Sequence, residues 1–251
     1  MRYSLTAAIF LLLALICSGR VSAAGPLAES ASPYLRLHAA DAIAWRPWGE
    51  EALAEAKRLE RPIFLSIGYA SCHWCHVLSR TTFADERVIT LLNGHFVSIL
   101  VDREQRPDID AHFMEVLGAM RSWRGAPANF LLTSDLDPLY ATGYVAPERE
   151  HGQLGMIEIL ETLVDAWRDD RDALFATAVN NRNALSTLLA PPQPGQGKGG
   201  DPRVLAATEW LKAFDVEHGG FGRREKFPMA NALSLLLRQG VWHRDDALVT
   251  A

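Results

Sequence analysis

The chain has 251 residues, of which 49% are hydrophobic and 22% are charged. This is the composition of an ordinary globular protein, long enough for one sizeable domain or somewhat more. The formal charge is −5, and basic residues neither cluster nor alternate with aromatic residues. These features argue against a nucleic-acid partner.

The first 23 residues have the pattern of a secretory signal peptide. Arg2 supplies the positive start, Leu5–Cys17 the apolar core, and Val21-Ser22-Ala23 a small-residue cleavage site. The apolar core is too short to cross a bilayer comfortably, so we expect no stable membrane span after cleavage. The predicted location is therefore secreted or periplasmic. Two thiols exported to an oxidising compartment form a disulfide unless something reduces them.

The N-terminal part of the mature chain predicts two helices and an edge strand. Ser32-Pro33 is typical of an N-cap with proline in the first turn, and begins a short helix that runs through His38. Ile43-Ala44-Trp45 is predicted as a short edge strand. Gly49–Arg61 has one apolar and one charged face and is predicted as a helix that Pro62 ends.

The elements that follow alternate between strand and helix. The predicted strands are Ile63–Ile67, Phe96–Val101, Phe130–Leu132 and Leu139–Tyr144, and the last two should form a hairpin. The predicted helices are Cys72–Asn93 with a break near Thr81-Thr82, Asp108–Met120, and Gln153–Leu189 in two pieces, with a turn at Asn93-Gly94. This order of elements predicts an α/β protein with a thioredoxin-like fold, a central sheet flanked by helices.

Cys72-His73-Trp74-Cys75-His76 is the centre of the pattern, because it stands directly between a buried strand and a helix. Unpaired backbone N–H groups and the helix dipole favour a thiolate at such a position. Two cysteines three residues apart at a helix start also close a disulfide across one turn. The motif therefore predicts a thiol–disulfide redox site that needs neither a cofactor nor a metal.

Four other interpretations of this motif remain open. Cys-x-x-Cys-His is also the attachment sequence of c-type haem, which would make the protein an electron carrier. Two cysteines with His73 or His76 are the beginning of a zinc site, although no second cysteine pair follows. The pair is otherwise a structural disulfide, although so small a loop constrains the unfolded chain weakly. Finally, the fold serves in some proteins as a non-catalytic binding module.

Each residue of the motif has an expected role. Cys72 is the predicted nucleophile, since it stands nearer the helix start and should be the more exposed thiol. Cys75 is the predicted resolving thiol. His73 and His76 are candidates for stabilising the thiolate or carrying protons near neutral pH. Trp74 is a candidate apolar contact for substrate, with a packing role equally open.

Three positions outside the motif complete the predicted site. Many thioredoxin-like proteins have a buried acid six residues before the first cysteine, and Ser66 occupies that position here. Asp102, at the end of the next buried strand, is a candidate replacement, although we favour Asp108 as a helix cap and the neighbouring charges as solvated. Pro127, just before the hairpin and opposite the cysteines, is predicted to follow a cis peptide bond.

The C-terminal part separates from the rest by composition. Pro191–Pro202 is rich in proline and glycine and is predicted as a linker. Two helices, Val204–Phe214 and Met229–Trp242, follow around a glycine-rich turn. Because a two-helix hairpin is too small to be stable alone, we expect it to dock on the first domain. The aromatic residues expected to mediate this are Trp210, Phe214, Phe221 and Phe227.

Several longer motifs together resemble one family. They are Ser32-Pro33-Tyr34-Leu35, Trp48-Gly49-Glu50-Glu51-Ala52, Pro62–Gly68, the CHWCH run, Val101-Asp102-Arg103-Glu104, Arg106-Pro107-Asp108-Ile109-Asp110, Gly219-Gly220-Phe221-Gly222 and Lys226-Phe227-Pro228. They are similar to the thioredoxin-domain proteins related to spermatogenesis-associated protein 20. Two stretches depart from that family: its Asn-Pro-Val-Asp-Trp stands here as Asp41–Trp45, and its Gly-Gly-Trp-Pro as Arg124–Pro127.

The resemblance implies a thioredoxin-like domain followed by a helical toroid like those of six-hairpin glycosidases. We accordingly expect a signal peptide at 1–23, a thioredoxin-like domain at 24–190, a linker at 191–202 and only the start of a toroid at 203–251. The expected partners are protein or small-molecule thiols and disulfides, together with a redox partner protein.

Overall fold

The structure is a computed structural model that describes residues 25–190, 199–222, 226, 229–245 and 248–249. The predicted signal peptide, most of the predicted linker and Phe227 lie outside the described residues. The chain divides into two compact units, with the boundary after Ala190. Among the helices of the described part, none is long and apolar enough to cross a membrane.

The first unit contains five strands and seven α-helices among its described residues. The strands are β1 (Arg46–Pro47), β2 (Ile63–Gly68), β3 (Val97–Asp102), β4 (Ala128–Leu132) and β5 (Pro138–Thr142). The helices are α1 (Pro33–Leu37), α2 (Glu50–Leu59), α3 (His73–Arg80), α4 (Glu86–His95), α5 (Pro107–Arg121), α6 (Met156–Asp169) and α7 (Arg171–Leu188), and a 3₁₀ turn, Thr82–Ala84, separates α3 from α4.

The sheet has the strand order β1-β3-β2-β4-β5, with β2 at its centre. β1 and β2 run parallel to β3, whereas β4 pairs antiparallel with both β2 and β5, forming the expected hairpin. This arrangement, with the cysteines directly after the central strand, is the predicted thioredoxin-like fold. The helical break between α3 and α4 and the division of the last helical stretch into α6 and α7 are also confirmed.

Alternation along β2 divides the interior into two cores. Ile63, Leu65 and Ile67 face one core, which α2 and α5 cover. Phe64 faces the other core, which holds both cysteines of the motif together with residues of α1, α4 and α6. Every residue of β2 is buried, so its run of apolar side chains is explained by helices on both faces. The functional chemistry therefore lies on one face of the sheet.

The predicted edge strand at Ile43-Ala44-Trp45 is wrong in its position. The ladder with β3 begins only at Arg46 and Pro47. Trp45 instead bends back, since its backbone N–H donates to the carbonyl of Ile43 at 2.8 Å and its indole Nε1 donates to Asp41 at 3.0 Å. This local bonding uses groups that a strand would offer to its neighbour.

The predicted turn at Asn93-Gly94 is also wrong, because α4 continues through both residues to His95. The Asn93 side chain donates to the carbonyl of Ala42 at 2.9 Å and accepts the N–H of Ala44 at 2.8 Å. The asparagine thus fastens the N-terminal loop to the helix instead of forming a turn. Sequence spacing gives no sign of a contact between such distant residues.

Asp108 does not cap the helix as predicted. The N-cap position of α5 belongs to Arg106, and Pro107 occupies the first turn. Asp108 lies one residue further on, where both its carboxylate oxygens accept from the Arg106 guanidinium at 2.9 and 2.7 Å. This bidentate pair holds the pKa of Asp108 at about 2.

The second unit contains α8 (Pro202–Ala213) and α9 (Ala230–His243) in its described residues. Three of its aromatic residues pack on one another, because the Phe221 ring lies 5.0 Å from Trp210 and 5.8 Å from Phe214 between centroids. Lys226 donates to the Asp215 carboxylate and to the carbonyl of Gly219 at 2.7 Å, which closes the turn between the helices. Docking of this unit on the first stays a prediction.

Candidate functional site

Cys72 and Cys75 form a disulfide at the start of α3, with their Cα atoms 5.2 Å apart; we call this pair the redox disulfide. Cys72 is the N-cap of α3, and its Sγ accepts the backbone N–H of Cys75 at 3.1 Å. A donor aimed at this sulfur favours a thiolate there after reduction. The two cysteines are equally buried, so the greater exposure expected for Cys72 is not seen.

Gly68, the last residue of β2, forms the floor beneath the redox disulfide. A methyl group on this glycine would lie 3.0 Å from Cys75 Sγ and 2.7 Å from Tyr34 Cζ, and it would overlap the Tyr34 hydroxyl oxygen. The sulfur and the phenol therefore both lie close to the same glycine, at a place where only a residue without a side chain fits. Tyr34 lies in α1 and is 2% exposed.

Asp102 ends β3 directly beside this floor, since its Cα is paired with that of Gly68. The side chain is buried, and its Oδ2 accepts a 2.5 Å hydrogen bond from Ser32 Oγ, while Oδ1 accepts the N–H of Glu104 at 2.9 Å. Of the two arrangements considered for the acidic cluster, the structure thus has Asp102 beside the redox disulfide. Ser32 is also the N-cap of α1 and accepts the N–H of Leu35 at 3.0 Å.

Tyr34 remains a neutral phenol in this environment. Burial, followed by the negative charges of Asp102 and Asp41, raises the pKa of Tyr34 far above its ordinary range. A protonated phenol offers an O–H donor, so α1 brings a hydrogen-bond donor to the cysteine side of the sheet. Ser32 and Tyr34 were not predicted as site residues, although both belong to the Ser-Pro-Tyr-Leu motif that carries the family resemblance.

Ser66 and Asn129 form a second polar pair on the same face of the sheet. They are direct partners in the ladder between β2 and β4, and both are buried. Asn129 Nδ2 donates to the carbonyl of Gly143 at 2.8 Å, whereas Asn129 Oδ1 and Ser66 Oγ have no hydrogen-bond partner among the described residues. Neither group is an acid, so Asp102 is the buried carboxylate beside the redox disulfide.

The two histidines of the motif have different surroundings. A ring nitrogen of His76 lies 2.7 Å from the carbonyl oxygen of Ala70, which ties the helix to the preceding turn. His73 is exposed and lies edge-on to the Trp74 ring, 5.6 Å between centroids. His76 is thus engaged by the backbone, and His73 faces the surface. Their predicted roles in stabilising the thiolate stay predictions.

Aromatic side chains and the proline loop border the redox disulfide at the surface. The Trp74 side chain is 53% exposed, and its ring lies 5.1 Å from that of Tyr144. The Ala126–Pro127 peptide bond is cis, as predicted. Because Ala128 pairs with Ile67, Pro127 lies at the level of Gly68.

A cleft of about 380 Å³ continues from this border, and its lining includes Arg121, Tyr140, Tyr144 and His151. The described residues contain no group of three or more histidine, cysteine or acidic side chains arranged to hold a metal ion. The site is therefore a buried disulfide with a carboxylate and a phenol beneath it and an aromatic border above it.

The sheet order and the position of the cysteine pair define a thioredoxin-like protein. Residues 24–186 match the family described as "Protein of unknown function, DUF255", also called Thioredox_DsbH. The chain belongs to this family, as its resemblance to the relatives of spermatogenesis-associated protein 20 implies.

Curated relatives confirm this assignment. The chain is 36% identical to spermatogenesis-associated protein 20 of Rattus norvegicus over 227 residues, which are 88% of this chain and 28% of that protein. It is 35% identical to the Homo sapiens protein of the same name, over 87% of this chain and 28% of that one. The chain therefore spans little more than a quarter of the length of these relatives.

Solved structures with similar folds include an oxidoreductase and a putative disulphide-isomerase. A "DsbH Oxidoreductase" matches with a TM-score of 0.35 and 20% identity over 50% of this chain and 87% of that chain. A putative disulphide-isomerase from Bacteroides thetaiotaomicron matches with a TM-score of 0.37 and 23% identity over 52% of this chain and 98% of that chain.

Proposed function

We propose that this protein is an exported thiol–disulfide oxidoreductase that uses the Cys72–Cys75 pair. The observation that carries the proposal is the position of Cys72, which caps α3 directly after the central strand and accepts the N–H of Cys75. This environment favours the thiolate, which is the reactive form of a cysteine. Membership of a family named for thioredoxin and DsbH supports the same chemistry.

The reaction consists of two exchanges at sulfur. In the reduced protein, the Cys72 thiolate attacks a substrate disulfide, forms a mixed disulfide with one sulfur and releases the other as a thiolate, which takes a proton from water. The thiolate of Cys75 then attacks Cys72 Sγ and releases the second substrate thiolate. The protein is oxidised by two electrons and the substrate is reduced by two. A dithiol donor of the redox partner restores the pair, and the same bonds change in reverse for substrate oxidation.

Asp102 is the proposed acceptor of the Cys75 proton. Asp102 is the ladder partner of Gly68, and a methyl group on Gly68 would lie 3.0 Å from Cys75 Sγ. The hydroxyl at Ser66, where many relatives of this fold carry an acid, is a far weaker proton acceptor than a carboxylate. Hydrogen bonds from the Ser32 hydroxyl and from the backbone N–H of Glu104 hold the Asp102 carboxylate in place, so it needs no rearrangement between the steps. Replacement by asparagine should slow the closing step selectively.

The proposed substrates are thiols and disulfides of proteins or small molecules, which approach over the exposed Trp74 ring. Export is proposed from Arg2, Leu5–Cys17 and the small residues at 21–23. N-terminal sequencing of the protein from the periplasm tests this part. A start near Ala24 is expected, and recovery of the uncleaved chain from the cytoplasm would contradict it.

The activity is tested by reduction of insulin disulfides with a dithiol donor, comparing the wild-type chain with Cys72→Ser. The wild type should accelerate precipitation of insulin, and the variant should lose this acceleration. Ser71→Ala is the matched control, because it changes the residue next to Cys72 and leaves both cysteines in place. Equal activity of wild type and Cys72→Ser, or the Soret absorption of covalent haem in the purified protein, would contradict the proposal.

Trapping identifies the substrate class. In Cys75→Ser the mixed disulfide on Cys72 cannot be resolved, so substrate should remain attached and be released only by added reductant. Mass spectrometry of the released molecule then distinguishes a protein from a small thiol. Capture by Cys72→Ser at the same level would show that attachment does not proceed through Cys72.

A further inference from the structure

Tyr34, in the Ser-Pro-Tyr-Leu motif at the start of α1, has no role in the two exchange steps described above, yet it lies close to the redox disulfide. Tyr34 and Ser32 lie some forty residues before the cysteines in the chain, and both are buried. The Tyr34 hydroxyl and Cys75 Sγ both border the position that a methyl group on Gly68 would occupy, and Ser32 binds Asp102 on the neighbouring strand. The start of α1 therefore lies close to the resolving cysteine, and its N-cap residue binds the neighbouring carboxylate.

We propose that the Tyr34 hydroxyl donates a hydrogen bond to the sulfur of Cys75 once the disulfide opens, and so stabilises the resolving thiolate. This inference rests on the proposed function only in that it assigns Cys75 the resolving role. Ser32 acts as a positioning residue, because it holds Asp102 and caps the helix that carries Tyr34.

Among the polar groups around Cys75, the Tyr34 hydroxyl is the one suited to donate a hydrogen bond to Cys75 Sγ. Asp102 on β3 is an acceptor, and its negative charge opposes a thiolate on Cys75. On α3, the helix that carries Cys75, a ring nitrogen of His76 lies within hydrogen-bond distance of the Ala70 carbonyl oxygen, and His73 lies at the surface against Trp74. Tyr34 is kept protonated by burial and by the charges of Asp102 and Asp41. A neutral phenol therefore offsets the carboxylate without adding a charge to the core.

The consequence is a pair of opposing influences on one sulfur. Asp102 accepts the proton that Cys75 must lose, but while it is still ionised its negative charge raises the pKa of the Cys75 thiol. The Tyr34 hydrogen bond counters this effect at the moment the thiolate forms. Removal of the phenol oxygen should thus raise the pKa of Cys75, whereas removal of the Asp102 charge should lower it.

The test measures the pH dependence of Cys75 alkylation in the full-length Cys72→Ser chain, followed at the Cys75 peptide by mass spectrometry. Adding Tyr34→Phe should raise the apparent pKa of Cys75 by about 1–2 units, the size of a hydrogen bond to a charged group. Tyr69→Phe is the matched control, since Tyr69 flanks the same loop but its ring faces Arg103 at 5.5 Å. The control should leave the pKa unchanged.

An unchanged Cys75 pKa in Tyr34→Phe, or an equal rise in Tyr69→Phe, would overturn the proposal. A second measurement does not depend on a Tyr34 variant: in Cys72→Ser, the Tyr34 ring carbon resonance should titrate with the alkylation midpoint of Cys75. A Tyr34 resonance that does not shift when Cys75 ionises would also overturn the proposal. Because neither readout uses a substrate, a chain inactive toward insulin that still shows both effects would refute the proposed function alone.

Discussion

Replacement of Gly68 by alanine should destabilise the protein through overpacking alone. The new methyl group would overlap the Tyr34 hydroxyl, and would lie 2.7 Å from Tyr34 Cζ and 3.0 Å from Cys75 Sγ. None of these atoms can retreat easily. Cys75 is held by the redox disulfide, and the buried Tyr34 ring packs edge-on against His38 at 4.9 Å.

The magnitude follows from the known cost of an extra methyl group in a packed core, about 1–3 kcal/mol. For a chain of about 150–250 residues, each kcal/mol lowers the melting temperature by about 2–4 °C. A decrease of about 2–12 °C is therefore expected for Gly68→Ala. Gly68 lies in a regular strand, so the backbone itself contributes little to this cost.

Thermal unfolding followed by circular dichroism measures the effect, with Gly94→Ala as the matched control. Gly94 lies on the exposed side of α4, and a methyl group there meets no atom within 4 Å. Because alanine favours a helix over glycine by about 0.5–1 kcal/mol, the control should raise the melting temperature. A Gly68→Ala protein that melts with the wild type, beside a control that melts higher, would refute the packing argument.

Three further predictions concern redox potential, packing and charge. The redox disulfide should be more oxidising than thioredoxin, nearer about −180 mV than about −270 mV, because a helix N-terminus favours the reduced thiolate; a glutathione titration giving about −270 mV or less would contradict this. Thr82→Val removes the 2.7 Å bond from the Thr82 hydroxyl to the buried Val145 carbonyl and should cost about 1–3 kcal/mol in urea unfolding, whereas an unchanged midpoint would show that the bond contributes nothing. Arg106→Gln should raise the pKa of Asp108 from about 2 toward about 3.9 in an NMR titration. Because the pKa of Asp108 is lower in the folded protein than in the unfolded chain, the pair stabilises the fold above the unfolded pKa, and this stabilisation is lost as the pH falls through about 2. An Asp108 pKa that does not change in Arg106→Gln would refute the pairing.

Much of the fold was predictable because its signals are local. The buried strands, the redox helix with its break and the hairpin each depend on about five to fifteen consecutive residues, in which hydrophobic periodicity and proline positions predict the secondary structure. The cysteine pair carries its own spacing signal. The cis bond before Pro127 was predictable from the order of elements.

The parts that were mispredicted or missed depend on contacts between distant residues. Asn93 stays helical because it binds Ala42 and Ala44, and Ser32 reaches Asp102 across seventy positions of sequence. A Ser-Pro pair indicates only a helix start, whatever the serine hydroxyl also binds. Only the motif's place in the family resemblance marked Ser32 and Tyr34 as more than a cap and a core residue.

The loop before Pro127 carries its aromatic residue at an unexpected position. The family resemblance implies a tryptophan directly before the proline, where this chain has Ala126. Trp123 instead folds back over Gly125 and Gly143, and a methyl group on either glycine would come within 2.5–2.8 Å of its ring. In an alignment of relatives, a tryptophan at 123 should therefore co-vary with alanine at 126 and with glycine at both neighbouring positions. Divergent members of the family would thus retain an indole near the proline although the residue that supplies it has changed.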